Sequence, residues 1–340
     1  MINAERLKRH SIQEKPAIAT DRTIQLEHVV GGDEAGRRVD QVAAAVWSEY
    51  SRSRLTEWIR EGALRVDDSA VKPNFRLREG QRMELRTRLR DRPDTPDAES
   101  MPLALVYEDD EVLVIDKPAG RVVHPGSGNT AGTLVNGLLH HDPGLAAIPR
   151  AGLVHRLDKD TSGCLVVART PLAHRTLVEA LKQRRIKRRY LAAVWGEMIA
   201  GGSVDAPLGR HPVDRRRQVV RNDGRTARSH YRIHQRLTGA TLLSVRLETG
   251  RTHQIRVHMQ HIGYPLIGDP AYGRRGSPAG LTTRQREAWR SFPRQALHAW
   301  QLEFEHPVSG DTICAEAPLP DDLAGLIETL APESGPQADA

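Results

Sequence analysis

The nine residues His155-Arg156-Leu157-Asp158-Lys159-Asp160-Thr161-Ser162-Gly163 constrain this chain more than any other stretch. Apolar Gly152-Leu153-Val154 leads in, and Cys164-Leu165-Val166-Val167-Ala168 leads out with the pattern of a buried strand. Ionic groups held between two apolar segments lie at the rim of a core, where a charge is costly unless paired. Turn chemistry accounts for Asp160, Thr161, Ser162 and Gly163. It does not account for His155 and Arg156 beside Asp158, so a functional site at the rim of the core stands as the alternative to a plain turn between two strands.

The order of the remaining elements points to an α+β fold with a mixed, largely antiparallel sheet. Strands and helices alternate without regular βαβ spacing. Short helices are expected around Val39–Val46 and from Ser51 or Ser53 as cap through Ile59 to Gly62, then strands at Leu64–Val66 and Val71–Lys72. Leu105–Tyr107, Val112–Ile115, Tyr190–Gly196, Tyr231–His234 and Leu242–Leu247 read as strands. Leu134–His140 reads as a helix, as does the segment after Thr170-Pro171, a threonine cap with proline in the first turn. Thr252 is a candidate cap for a helix with Ile255, Met259 and Ile262 inward.

Composition narrows the partners. Fifty Lys and Arg against 43 Asp and Glu leave a net charge of +7, with a pI of about 9.7, which suits a polyanion. The arginine-rich segment 201–229 offers further phosphate contacts. The two cysteines, Cys164 and Cys314, read as buried thiols of a reducing compartment rather than a disulfide or metal cluster. No apolar run is long enough to span a bilayer. A cytoplasmic protein without membrane contact is expected, with a monomer as the default. Gly126-Ser127-Gly128-Asn129 lacks the Gly-Lys-Ser/Thr of a nucleotide loop. His253, His258 and His261 lack the spacing of a zinc hydrolase, so no metal is expected.

The signature His155–Gly163 resembles that of the RluA family of RNA pseudouridine synthases, with Asp158 at the catalytic aspartate. Asp116-Lys117-Pro118-Ala119-Gly120, Tyr190–Gly196, Leu247–His258, Gly263–Asp269 and Arg294–Ala299 match further family segments. Together they extend from about Gly36 to Leu319, with Tyr264 standing where the family commonly has histidine. The likeness is greatest to members that modify the helix 69 stem-loop of the large-subunit (23S) ribosomal RNA. It implies a catalytic domain over residues 103–325, preceded by an S4-like RNA-binding domain over 25–86 and a reorienting linker over 87–102. Residues 1–24 and 326–340 are then flexible ends. The strand turn of that S4-like domain holds Asp67-Asp68 where Asn-Gly is common.

The resemblance also assigns roles. Asp158 acts as nucleophile or base, Arg251 is its ionic partner, and Tyr190 stacks on the target base. Arg156 enters the space that the flipped base leaves. Arg52, Arg54, Lys187, Arg188 and Arg256 are candidate RNA contacts, and Asp160 is a structural turn residue. The isomerisation adds no group and removes no electrons, so no cofactor is expected. Two other functions compete: a non-catalytic factor that binds the assembling large subunit, and a metal-dependent enzyme built on Asp158 and Asp160. The first should show decay at Asp158, Tyr190 or Arg251, and the second needs a further carboxylate cluster.

Overall fold

The computed structural model describes residues 22–47, 50, 52–89, 96–126 and 129–332. The chain divides into two units, residues 1–94 and 95–340. Ser51, and the side chain of Ser53, lie outside the described residues, as do most of the two expected flexible ends.

In the first unit, β1 (Arg22–Val29), α1 (Val39–Val46), α2 (Arg52–Arg60), β2 (Leu64–Val66), β3 (Ser69–Ala70) and β4 (Arg82–Leu89) form a four-stranded sheet in the order β1-β4-β2-β3, with the two helices. Val39, Val42 and Ala43 of α1 and Leu55, Trp58 and Ile59 of α2 are buried with Leu64, Met83 and Leu85. That is the apolar stripe read from the sequence. The strand β1 replaces the end of the expected flexible extension, because Ile24 and Leu26 alternate inward and pair with Thr87 and Leu85. The third strand is Ser69–Ala70 rather than Val71–Lys72. Asp67 and Asp68 both take positive φ (47° and 60°), the conformation of a primed hairpin turn, and so stand in for Asn-Gly.

In the second unit, β5 (Ala104–Glu108), β6 (Val112–Lys117), α3 (Leu134–His141), β7 (Ser162–Ala168), α4 (Pro171–Lys182), β8 (Lys187–Trp195) and β9 (Gly202–Asp205) come first. The short hairpin β10 (Leu208–Arg210) and β11 (Gln218–Val220) precedes β12 (Arg228–Leu237), β13 (Ala240–Leu247) and α5 (Gln254–His261). The unit closes with α6 (Thr283–Ser291), β14 (Leu297–Glu305), β15 (Thr312–Glu316) and α7 (Asp321–Leu330). Nine strands form one sheet, in the order β5-β6-β7-β14-β8-β13-β12-β9 with β15 on β14. Only β7 and β14 pair in parallel, so the sheet is mixed and largely antiparallel.

Every residue of β7 is buried, as a central strand covered on both faces requires. Alternation then sorts the side chains. Leu165, Val167, Tyr190, Ala192, Val245 and Leu247 face one core with α3 and α5. Cys164, Val166 and Ala168 face the other with α4. Thr170 accepts a bond from the Ala173 amide at 3.1 Å, capping α4.

Two further boundaries move. Residues 96–102, expected within the linker, are tied to the second unit. The Asn136 amide donates to the Asp97 carbonyl at 2.7 Å, the Glu99 carboxylate accepts from the Gly132 amide, and Met101 lies against Gly137. At the other end α7 buries Leu323, Leu326, Ile327 and Leu330, so residues 326–330 are core rather than tail. Cys314 is exposed, because β15 turns that side chain outward; Cys164 alone is buried, its thiol pushed up to about 12 by that burial.

Candidate active site

The signature loop runs into β7, and its glycine is set by a close approach. Gly163 has φ of +110°, and a Cβ there would stand 2.2 Å from the Ala299 carbonyl oxygen of β14. Only a residue without a side chain allows β7 and β14 to pair at that point. Upstream, the fully buried Lys117 ammonium donates to the carbonyls of Pro118 (2.7 Å), Arg121 (3.1 Å) and Lys159 (2.9 Å). Arg294 donates to the Asp160 carbonyl, and Gln295 to the Thr161 hydroxyl. The loop carrying Asp158 is thus bolted down from both sides, and a fixed carboxylate is what catalysis by positioning needs.

Asp158 keeps 18 % of its side chain exposed and accepts from Arg256 Nη1 at 3.0 Å. The same guanidinium is gripped from behind by Asp269, which has no exposed side-chain surface, through Nε (2.7 Å) and Nη2 (2.8 Å). Asp269 also accepts from the amides of Ala271 and Tyr272, so its oxygens are satisfied. Burial alone would lower the Arg256 pKa, but the bonds to Asp269 and Asp158 outweigh it and raise it. The Tyr272 ring covers the guanidinium at 5.0 Å. The result is an Asp–Arg–Asp chain with one end open to solvent.

His253 stands across from this chain, its Nε2 3.9 Å from Asp158 Oδ1. Burial lowers its pKa, with Asp158 opposing, so the ring is neutral at pH 7. Its backbone is left-handed (φ 57°), an uncommon state for a non-glycine residue that clusters at functional sites. Its Nδ1 shares a hydrogen bond with the Tyr272 hydroxyl at 2.8 Å, and that hydroxyl accepts from the Gln218 amide at 2.7 Å. Beside the site, Tyr190 is buried on the sheet face, its hydroxyl pKa raised by that burial.

Several expected placements change. Arg251 does not reach Asp158: it is exposed and its Nε donates to the Thr226 carbonyl at 3.3 Å. The reversal at His253 separates it from the ion pair, and Arg256, on the inward side of α5, takes the place. Arg256, expected as an RNA contact, is 6 % exposed, and its guanidinium is bonded to the carboxylates of Asp158 and Asp269. Arg188, expected on a solvated basic run, is buried at 8 % exposure. Thr252 does not cap α5; His253 holds the cap position, and the Gln254 side chain accepts from the Arg251 amide. Asp160 has no amide bond at its side chain among the described residues; the Thr161 amide donates to the Asp158 carbonyl instead.

The other residues lie as follows. Arg156 is exposed next to Asp158. Lys187 is exposed and paired with Glu303 at 2.5 Å. Arg52 pairs with the buried Asp40 at 2.8 Å, and Arg54 lies over the Trp58 ring. Asp269, Tyr272 and His253 were not singled out for this role. His253 and Asp269 lie inside matched segments, but their partnership joins residues distant in the chain. Among the described residues no group of His, Cys, Asp and Glu is placed to hold a metal ion. None of the described helices is long and apolar enough to cross a membrane.

The RNA pseudouridylate synthase family matches residues 111–261, spanning the signature loop, Tyr190 and Arg256, and the S4 domain matches residues 37–82. A relative from Xanthomonas campestris, "Ribosomal large subunit pseudouridine synthase D", is 52 % identical over 92 % of this chain and 94 % of its own length. The chain belongs to the RNA pseudouridine synthase family. Its activity is the isomerisation of uridine in RNA. Proteins of the same name from Nitrosomonas europaea and Pseudomonas aeruginosa are each 49 % identical, over 90 % and 87 % of this chain and 88 % and 92 % of theirs. The solved structure "Human RNA Pseudouridylate Synthase Domain Containing 4" shares the fold, with a TM-score of 0.53 and 23 % identity over 67 % of this chain and 92 % of that one.

Proposed function

We propose that this pseudouridine synthase acts on large-subunit ribosomal RNA, and within it on uridines of the helix 69 stem-loop, using Asp158 and no cofactor. The observation that carries the catalytic part is the Asp158–Arg256–Asp269 chain: a carboxylate fixed at one oxygen, open at the other, beside a buried tyrosine. The substrate part rests on the relatives named above, which span nearly the whole chain.

The reaction breaks N1–C1′, forms C5–C1′ and moves one proton from C5 to N1. The uridine must leave the stack, at a cost of roughly a few kcal/mol. Arg156, exposed next to Asp158, fills the space left in the RNA, where a planar guanidinium replaces lost stacking. Tyr190 holds the uracil ring by stacking. Asp158, held by Arg256, attacks the sugar or the base, or takes a sugar proton. Arg256, bonded to one carboxylate oxygen at 3.0 Å, keeps Asp158 aimed throughout. Arg52 and Arg54 of the S4 domain, with Lys187, contribute phosphate contacts that position without reading sequence. The enzyme works as a monomer in the cytoplasm, on free or assembling subunits.

A purely structural assembly factor would not need an ion-paired, solvent-open Asp158, so the enzyme reading is preferred. The test is carbodiimide mapping of pseudouridine by primer extension on unmodified large-subunit rRNA and on assembled subunits, with wild type and Asp158→Ala. Stops in the helix 69 loop with wild type alone support the proposal. Stops elsewhere overturn the substrate, and no stops on either RNA overturn the reading.

A further inference from the structure

Arg188 is a charged side chain, more than nine-tenths buried, that the protein itself does not pair. It is 8 % exposed, and its Nε lies buried without a hydrogen-bond partner. Among the described residues no ion pair or hydrogen bond to its guanidinium is present. The carboxylates nearby are taken by other cations. Glu248 accepts from Arg184 (2.7 Å) and bonds His230 (2.6 Å), Asp158 is held by Arg256, and Glu303 by Lys187. An uncompensated buried cation is costly, so one that is kept needs an anion from elsewhere.

Its position says which anion. Arg188 and Tyr190 are two apart on β8, so both point to the sheet face that carries the site. The charge of Arg188 also bears on both His155 and Tyr190. The tip rests on the turn before α5: a Cβ on Gly250 would stand 2.5 Å from Arg188 Nη1. Gly250 is exposed, so the guanidinium ends where the buried site meets solvent. A uridine swung out against Tyr190 brings its own sugar-phosphate backbone to that mouth.

We propose that Arg188 is the seat for a phosphodiester of the RNA substrate at the mouth of the site, supplying a fork of donors that closes on two phosphate oxygens. The absence of a protein counter-ion keeps the fork open for substrate. Gly250 is part of this seat, because any side chain there would displace Nη1. The proposal rests on RNA being the substrate, which wild-type turnover tests separately.

The experiment compares full-length wild type with Arg188→Met, Arg188→Lys and Gly250→Ala. It measures binding to a large-subunit rRNA stem-loop transcript across a salt series, single-turnover rate and thermal midpoint. In Arg188→Met, affinity falls roughly 10- to 100-fold with loss of one charge-assisted contact. The slope of log affinity against log salt flattens by about 0.7–0.9, one phosphate. The thermal midpoint is unchanged or higher, because a buried unpaired charge has gone. Arg188→Lys keeps the slope while binding more weakly, and Gly250→Ala weakens binding with its charge count intact. An unchanged salt slope in Arg188→Met overturns the proposal. So does a parallel loss of stability and affinity, or failure of that variant to fold, either of which makes Arg188 a structural cation. Failure of wild type to turn over the transcript counts against the substrate, and the binding slopes still decide the seat.

Discussion

Replacing Asp269 by Asn should damage both the fold and the reaction, and the structure sets the size of each effect. Its carboxylate accepts from Arg256 twice and from the amides of Ala271 and Tyr272, at 2.7 to 3.0 Å, with no side-chain exposure. Asn can keep one oxygen on the two amides and Nη2. Its amide nitrogen then faces Arg256 Nε, donor against donor, and the buried guanidinium loses one of its two anions. Removing one partner of a buried pair costs about 3–5 kcal/mol. At about 2–4 °C per kcal/mol for a unit of this size, the midpoint should fall by roughly 6–20 °C. The guanidinium, held only by Asp158, shifts toward it, and a displacement of about 1 Å at the reacting carboxylate costs on the order of 10²-fold in rate. Thermal unfolding followed by circular dichroism and a single-turnover assay below the new midpoint measure both. The double variant with Arg256→Met should be less destabilised than the two single losses summed, because the stranded charge is gone. A midpoint within about 2 °C of wild type, with full activity, would refute the claim that Asp269 anchors Arg256.

Gly163→Ala should cost about 3–5 kcal/mol, from overpacking against the Ala299 carbonyl plus a strained positive φ, read as a lower urea midpoint. A loss below about 1 kcal/mol would mean that β7 and β14 part easily there. His155 supplies a pH dependence. Its Nε2 accepts from the Val166 amide, and burial, with Arg188, brings its pKa down from 6.5 to about 3. Between those values the unfolded chain takes up a proton that the folded ring refuses, so stability is lost as pH falls from 6.5 toward 3. The urea midpoint should drop between pH 7 and pH 5, less steeply in His155→Gln; equal slopes would remove His155 as a cause.

What could be read from the sequence was local. The signature glycine, the Thr170-Pro171 helix start and the alternating strands depend on neighbours a few residues apart, and they lie where expected. The partner of Asp158 depends on a contact across the chain. Arg251 and Arg256 stand in one matched segment, and only the left-handed turn at His253 decides which faces inward. Arg256 stands about 100° round α5 from Ile255, off the stripe of Ile255, Met259 and Ile262, so the apolar pattern did not mark it as buried. The end of the chain did carry a signal, since Leu323, Leu326, Ile327 and Leu330 have the spacing of a buried helical stripe. In β1, Ile24, Leu26 and His28 alternate, but a strand of mixed polarity has little to show until β4 is there to pair with it. Nothing local marked Arg188 as buried, because a run of basic residues reads as a solvated face. Its position follows from the strand alternation that also buries Tyr190.

The central claim is that Asp158, held by Arg256 and not by Arg251, performs the isomerisation. Release of tritium from RNA labelled at uridine C5 reports formation of the C5–C1′ bond, since that proton must leave. Single-turnover release should be absent in Asp158→Asn, at least about 10²-fold slower in Arg256→Met, and within a few-fold of wild type in Arg251→Ala. Release by Asp158→Asn at the wild-type rate, or Arg251→Ala as inactive as Arg256→Met, would contradict the account.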